Sequence, residues 1–294
     1  MNTQGYECSA SPGAGTNLEI ELTIFGIIQA DSISSVMQFK VALRHWWSDP
    51  RLMWDPTAYG GLLRTAINGD SSRNIACVWI PDLECYNIAE RTMDLNTPNA
   101  IVYADGSTYI NKFGNINAAL QYDLSKYPYD QQKIRLTMES WTYPTTELNI
   151  SFRNGQGILK EQLFYHEHIE WEIESLAASM ETNTYLSGTI WQSIFFDIKV
   201  FRKGNTMTIT VIVPGVIISL LSLLYILLPK GANERLPYLN AILLTEIMFL
   251  VMMTQFVPIS RTTPVVERLF LMLSVILSFI TFVIIIIEYK YKKE

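Results

Sequence analysis

Cysteine is scarce in this chain of 294 residues, which contains only Cys8, Cys77 and Cys85. One pair can form a disulfide and one thiol is left over, so the fold cannot rest on a disulfide framework. The first 17 residues also lack the charged segment and apolar run of a secretory signal peptide. Two interpretations stay open: a leader lies outside this sequence, or the first membrane segment directs targeting.

Residues for metal binding and catalysis are few as well. Three histidines occur, and His166 and His168 share one face of a strand, but no third nearby cysteine or histidine completes a zinc site. The sequence contains no nucleophile–base pattern and no phosphate-binding glycine loop. We therefore expect no enzyme activity, no metal and no cofactor.

Charge is distributed unevenly along the chain. The net charge is -6: the first 203 residues carry about -8, and the remainder carries about +2. An acidic domain beside a membrane argues against nucleic acid as a partner. The acidic surface is compatible with attraction of cations, and equally with a role in solubility alone.

Charged residues are almost absent from three long segments near the C-terminus. Residues 209–228 and 269–287 contain none, and residues 236–257 contain only Glu246. Each segment is about as long as a helix that crosses ~30 Å of hydrocarbon. We predict membrane helices at about 208–228, 236–257 and 265–288, which form a transmembrane domain of residues 204–294.

The basic residues near these segments indicate an orientation. Lys230 and Arg235 lie between the first two segments, and three lysines follow the third, whereas Arg261 and Arg268 lie between the second and third. This bias places residues 1–203 outside the cell. The protein is then an integral membrane protein, expected in the plasma membrane.

The first 203 residues have the pattern of an antiparallel β-sandwich. About ten short runs of alternating or β-branched residues are separated by turn signals such as Asp105-Gly106 and Asn154-Gly155. The predicted strands are 18–28, 35–47, 74–80, 100–103, 108–110, 117–124, 133–141, 148–152, 169–175 and 194–202.

Several motifs in this region follow one another at characteristic spacings. Residues 47–60 match the pattern W-x-D-x-R-L-x-W-x-P-x-x-Y-G, and residues 79–82 read W-I-P-D, with Tyr86 seven residues after Trp79. Residues 127–132 read Y-P-Y-D-Q-Q, and Trp141 follows. Arg202-Lys203, Pro214, Leu228-Pro229 and Glu234-Arg235 continue the series. From Leu18 to Tyr289 this order resembles the pentameric neurotransmitter-gated ion channels of the Cys-loop (nicotinic acetylcholine receptor) superfamily.

The chain departs from that family in three respects. The two cysteines that name the family would fall near Leu120 and Ile134, which are aliphatic. The vicinal cysteine pair of nicotinic α-type subunits is absent. We also expect three spans here, whereas the family normally has a fourth. We expect Leu120 and Ile134 to close the loop by packing together.

The resemblance implies a ligand site made of aromatic rings at a subunit interface, because the family's transmitters are mostly cationic amines. Carried over, Tyr86, Trp141, Tyr185 and Trp191 form the principal face. Trp47 is expected on the complementary face, where Tyr103 and Tyr109 also lie. Core packing is the alternative role for these rings, and it is the role predicted for Trp54 and Trp79.

The resemblance also implies that the second membrane helix lines a pore. Its pore face and mouth are predicted to comprise Glu234, Pro237, Ala241, Leu244, Met248, Val251 or Met252, and Gln255. Leu244 takes the position of the family's gating leucine, where a ring of leucines closes the pore by dewetting. A ring of Glu234 carboxylates favours cations. For signal transmission the resemblance points to Pro128, Asp130, Arg202 and Pro258.

Taken together, the sequence predicts one subunit of a homo- or hetero-pentameric, cation-selective channel opened by a small cationic amine. Its expected partners are that ligand, other subunits, membrane lipid and permeant monovalent cations. The competing hypothesis is a membrane protein that keeps the receptor scaffold for binding or structure and does not conduct. The apolar pore face motivates this second hypothesis.

Overall fold

The structure is a computed structural model that describes residues 6–13, 15–67, 77–89, 93–96, 98–185, 188–204, 208–224, 234–256 and 264–291. The chain divides into two compact units. The sandwich unit comprises Met1–Gln121 and Lys133–Val200, and the helical unit comprises Tyr122–Gln132 and Phe201–Glu294. The division differs from the domain boundary predicted after residue 203, because the loop 122–132 groups with the helices.

Twelve strands occur in the described residues, and they form two sheets. They are β1 (Thr16–Asp31), β2 (Val36–Ser48), β3 (Arg64–Ile67), β4 (Leu83–Cys85), β5 (Asp94–Leu95), β6 (Ala100–Tyr103), β7 (Ser107–Ala119), β8 (Gln131–Ser140), β9 (Leu148–Phe152), β10 (Ile158–Lys160), β11 (Trp171–Thr184) and β12 (Ile190–Arg202). The larger sheet has the order β10-β1-β2-β7-β6-β3, with β9 beside β1 and β5 beside β7. The smaller sheet has the order β11-β12-β8-β4. The predicted β-sandwich is confirmed.

The period-2 pattern of the long strands explains the core. On β2, Phe39, Val41 and Leu43 are fully buried because alternate side chains of a strand point to the same face. On β8, Ile134 and Leu136 do the same. Leu120 is half-buried and Ile134 is buried, and their expected mutual packing stays a prediction.

Three strand predictions were wrong in their bounds. The run 108–110 and the first three residues of the run 117–124 belong to the single strand β7, which ends at Ala119. The interruption is Gly114, where a Cβ would lie 2.0 Å from the carbonyl oxygen of Asp94, so this glycine allows β5 to approach closely. Of the predicted strand 74–80, residues 74–76 lie outside the described residues and residues 78–80 are not a strand. The sequence analysis did not predict the short strands β3, β4, β5 and β10.

A disulfide joins Cys8 to Cys77, and Cys85 is a buried free thiol. Tyr6 anchors the same N-terminal segment, because its hydroxyl donates to Asp49 (2.8 Å) and accepts from the backbone N–H of Trp79 (3.0 Å). Burial raises the pKa of Tyr6 to about 12 and that of Cys85 to about 11. The N-terminal segment is thus held by the disulfide to Cys77 and by hydrogen bonds to Asp49 and Trp79.

The helical unit contains α1 (Val213–Leu223), α2 (Arg235–Phe256) and α3 (Val265–Tyr291). A π-helical turn, Thr208–Ile212, precedes α1. Among the described residues, α2 and α3 are long and apolar enough to cross a membrane. The end of the first predicted span, from residue 225, lies outside the described residues.

One face of α2 is buried and another is exposed. The buried residues recur at spacings of three and four, as expected for one side of a helix: Leu239, Ile242, Glu246, Phe249 and Met253. Phe249 and Met253 cluster with Phe270 of α3 and with Leu124 and Tyr127 of the loop 122–132. This packing explains why the loop belongs to the helical unit.

Candidate functional site

Four aromatic side chains surround one pocket of about 330 Å³ in the sandwich unit. Tyr86 stacks with Trp141 at 5.9 Å between ring centroids, and Tyr185 meets Trp191 edge-on at 6.4 Å. Trp141 is 71% exposed, which is unusual for a tryptophan that only packs a core. These are the four residues predicted for the principal face, and we call this group the aromatic cage.

Besides these ring contacts, hydrogen bonds to the backbone and to Asp82 hold the first two rings in place. Trp141 follows the end of β8 in a turn that Asp82 clamps, since its carboxylate accepts from the Ser140 hydroxyl (2.6 Å) and the Thr142 N–H (2.8 Å). Tyr86 follows β4, and its N–H bonds to the carbonyl of Thr137 on β8 (2.9 Å). Asp82 belongs to the W-I-P-D motif of residues 79–82, and the structure shows that it positions Trp141.

The remaining two rings lie where β11 and β12 meet. The Tyr185 N–H donates to the Thr189 carbonyl (3.1 Å), which closes the hairpin, and Trp191 is the second residue of β12. Residues 186 and 187 lie outside the described residues. The hairpin therefore brings Tyr185 and Trp191 to the pocket that Tyr86 and Trp141 line.

Trp47, predicted for the complementary face, is a core residue in this structure. It is 4% exposed and packs edge-on against buried Trp79 at 6.1 Å. Adjacent residues of a strand point to opposite faces, so the neighbouring Trp46 faces outward instead. Trp46 lies 5.2 Å from Tyr109, and both line a second pocket of about 570 Å³ together with Tyr103. Trp54, predicted for the core, is only half-buried.

An acidic side chain that the sequence analysis did not single out lies in the cage. Glu139 lines the same pocket and is only 6% exposed. It precedes Ser140-Trp141, yet on β8 it shares the outward face with Lys133 and Arg135, so its pattern resembles that of a solvent-facing charge. Nothing in the local sequence distinguishes it.

The electrostatic environment of the cage is negative. Burial raises the pKa of Tyr86, and the carboxylate of Glu139 raises it further. Among the described residues that line the pocket, Glu139 alone is an acidic or basic residue. A negative pocket with aromatic walls has the properties that attract a small organic cation.

The predicted pore residues occupy the exposed side of α2 in this single chain. Pro237, Ala241, Leu244 and Met248 are all exposed, and Glu234 is exposed just before the helix. Gln255 lies in α2, but its side chain is outside the described residues. Glu246 lies on the buried face, where neither carboxylate oxygen has a hydrogen-bond partner among the described residues.

The predicted coupling residues meet inside the helical unit. The Arg202 Nε donates to the Asp130 carboxylate at 2.8 Å, and both side chains are buried. Gln132 also donates to Asp130 (2.8 Å). Pro128 is buried beside them, and a Cβ on Gly204 would lie 3.1 Å from its carbonyl oxygen. Pro258 lies outside the described residues.

Comparison with known proteins agrees with this architecture. Residues 2–204 match the family described as the neurotransmitter-gated ion-channel ligand binding domain. The chain belongs to this family, since the match covers more than half of its length.

Similar curated proteins are receptor subunits rather than enzymes. The chain is 28% identical to acetylcholine receptor subunit alpha-like 2 of Drosophila melanogaster, over 94% of this chain and 49% of the relative. It is 26% identical to human neuronal acetylcholine receptor subunit alpha-10, over 96% and 62%. It is 27% identical to rat neuronal acetylcholine receptor subunit beta-4, over 90% and 51%. The chain thus spans about half the length of most of the relatives it matches.

Proposed function

We propose that this protein is a subunit of a pentameric ligand-gated ion channel in the plasma membrane, with the sandwich unit extracellular. In this proposal a small cationic amine binds the aromatic cage at a subunit interface and opens a cation-selective pore. The observation that carries the proposal is the convergence of Tyr86, Trp141, Tyr185 and Trp191 on one pocket. Family membership and the acetylcholine receptor relatives support it.

The neighbouring subunit supplies the complementary wall. Trp46, Tyr103 and Tyr109 are better suited to this wall than Trp47, because Trp47 borders the same open pocket but is only 4% exposed. A cage completed by a second subunit requires oligomers, and we propose a homo- or hetero-pentamer.

The pore proposal rests on the exposed face of α2. Pro237, Ala241, Leu244 and Met248 turn away from the other helices of their own chain, so they are available to face a shared axis. Glu234 lies at the cytoplasmic mouth, where a ring of carboxylates favours monovalent cations. Lipid contacts the outside of the bundle.

Transmission from ligand to pore follows two paired strands. β8 begins beside Asp130 and ends beside Trp141, whereas β12 begins beside Trp191 and ends at Arg202. The Arg202–Asp130 pair therefore joins the far ends of the two strands that carry cage residues. Ligand binding shifts the population of closed and open states through this pair.

The test compares two tyrosines of equal exposure in the full chain. Tyr86 in the cage and Tyr59 outside it are both 48% exposed. We expect Tyr86→Ala to weaken amine binding by about two- to thirtyfold, and Tyr59→Ala to leave it unchanged. Amine-evoked currents in cells that express the chain measure opening, and Trp141→Ala should abolish them. Equal effects of the two tyrosine variants on binding would contradict the cage.

A second candidate function is a receptor scaffold that binds an amine and does not conduct. The apolar character of the exposed α2 face favours it, since Leu244 and Met248 are each 63% exposed and would narrow and dry the pore. Binding without current, even after Leu244→Ser, would favour this candidate.

A further inference from the structure

The aromatic cage contains a buried carboxylate that no cation neutralises in the described part of the chain. The Glu139 Oε2 accepts from the Ser193 hydroxyl (2.9 Å), and its Oε1 accepts from the Tyr185 hydroxyl (3.4 Å). Both partners are neutral hydroxyl groups. A buried carboxylate without a cationic partner is costly, so its presence in a ligand pocket calls for a physical reason.

The residue opposite Glu139 on the neighbouring strand is a second carboxylate, Glu84, and the charge of Lys112 acts on Glu84 and Asp82. Like charges at opposite positions destabilise a sheet. Ser193 is already engaged, because its oxygen accepts from the Asn183 side-chain amide (2.8 Å) while its hydroxyl donates to Glu139. The pocket therefore holds a fixed negative group whose neutral partners are themselves held in place.

The carboxylate has capacity for another donor. Two carboxylate oxygens offer about four acceptor positions, and the two hydroxyl groups occupy two of them, one at the long distance of 3.4 Å. The carboxylate lines the pocket together with Tyr86, Trp141 and Trp191. A cation enclosed by the rings therefore lies beside a strong hydrogen-bond acceptor.

Aromatic rings and a carboxylate select different cations. Rings attract any organic cation through their negative faces, and quaternary ammonium ions are well suited to them. A protonated primary or secondary amine can also donate N–H to a carboxylate, and such charge-assisted bonds are about twice as strong as neutral ones. A quaternary ammonium ion has no N–H and leaves the acceptor positions unfilled.

We propose that Glu139 makes the cage selective for protonated primary and secondary amines over quaternary ammonium ions. The inference rests on the proposed function, since it concerns the ligand class of the same site. Glu139 is the specificity-determining group, and the aromatic rings supply affinity that both ligand classes share.

The experiment uses the full chain in lipid nanodiscs at neutral pH and two probes with the same ring, 2-phenylethylamine and its N,N,N-trimethyl derivative. Calorimetry measures the affinity of each probe for the wild type, Glu139→Gln and Glu84→Gln. Glu84→Gln is the matched control, because it removes an equal charge from an exposed side chain that does not line the pocket. Thermal unfolding of each variant verifies that it is folded.

We expect the wild type to bind the primary amine more tightly than the trimethyl probe. Glu139→Gln should reduce the ratio of the two affinities about tenfold or more, and Glu84→Gln should leave it unchanged. A wild type that binds the trimethyl probe as tightly or more tightly overturns the inference while the amine cage stands. Equal loss of both probes in Glu139→Gln also overturns it, because the carboxylate then acts only as a general negative charge.

The outcome also separates this inference from the proposed function. If the wild type binds neither probe, the amine cage itself is wrong and the inference falls with it. If Glu139→Gln does not fold, the wild-type ratio and a Glu139→Asp variant, which keeps the charge on a shorter side chain, decide the question. Loss of the preference for the primary amine in Glu139→Asp supports the inference, and an unchanged preference contradicts it.

Discussion

Asp130 in the helical unit and Glu139 in the sandwich unit are both buried carboxylates, and their surroundings differ. Asp130, in the helical unit, is 1% exposed and pairs with Arg202, whose guanidinium also lies 5.1 Å from the Tyr127 ring centroid. Glu139, in the sandwich unit, has only hydroxyl partners. The Asp130 charge is balanced by an arginine of the same unit, whereas the Glu139 charge has no cation beside it among the described residues and lines a pocket that a ligand can enter.

Breaking the neutralised pair should have the largest effect on stability. Arg202→Gln leaves Asp130 buried and uncompensated, which we expect to lower the free energy of unfolding by about 3–5 kcal/mol. Thermal unfolding of the full chain measures the loss.

The matched control for this change is Arg135→Gln, which opens the exposed pair between Arg135 and Asp197. Exposed pairs contribute little because water and salt screen them. Similar losses in the two arginine variants would mean that burial does not determine how much an ion pair contributes to the free energy of unfolding.

Removing the disulfide should destabilise the sandwich unit selectively. Cys77→Ser opens a link between residues 69 apart, at an expected cost of about 2–5 kcal/mol. Amine affinity should also fall, because the anchored segment holds Trp79, whose indole N–H donates to the Tyr143 hydroxyl (3.0 Å) two residues after Trp141. Calorimetric unfolding and amine binding measure the two effects.

Cys85→Ser serves as the control, since this thiol is buried and unpaired. The pKa of Cys85 is raised to about 11, so the thiol stays protonated and slow to alkylate near neutral pH. A mild reductant followed by an alkylating agent should therefore modify Cys8 and Cys77 first. Earlier modification of Cys85 would argue that the sandwich core opens before the disulfide is reduced.

In the helical unit, the two faces of α2 should respond in opposite ways to the same substitution. Leu244→Ser lies on the exposed face and should leave assembly intact while it increases the resting current, because a ring of serines is wetter than a ring of leucines. Phe249→Ser lies on the buried face against Phe270 (5.2 Å) and should reduce the amount of assembled protein. Current recordings and surface biotinylation separate the outcomes, and loss of assembly in Leu244→Ser would contradict the pore assignment.

The smallest expected effect is the change in melting temperature when the Glu139 charge is removed, and it is compared with the effect of removing the Asp130 charge. Without ligand, Glu139→Gln should leave the melting temperature unchanged or raise it slightly, because it removes a buried charge that has no cationic partner. Asp130→Asn should lower it, since the buried Arg202 then loses its counter-charge. Destabilisation of equal size by both substitutions would show that the hydroxyl partners of Glu139 suffice for a structural role.

Much of the architecture could be predicted from the sequence, for local reasons. Alternating patterns located β2, β8 and β9, and long uncharged runs located α2 and α3. Tyr86 and Trp141 could be predicted to lie together because the motifs around them resemble those of the family, and both line one pocket. The four-residue strand β6 was predicted with its observed bounds, but β3, β4, β5 and β10 were not, because strands of two to four residues are shorter than one reliable period.

The sequence by itself determined the order of the units, the apolar helices and the positions of the cage aromatics, because each of these depends on residues close together in the chain. Only the tertiary structure decided that Trp46 rather than Trp47 faces outward, that Cys8 pairs with Cys77, and that the loop 122–132 packs with the helices. It also decided that the hairpin of β11 and β12 covers Glu139. These features depend on which distant segments meet, and local periodicity carries no information about that pairing.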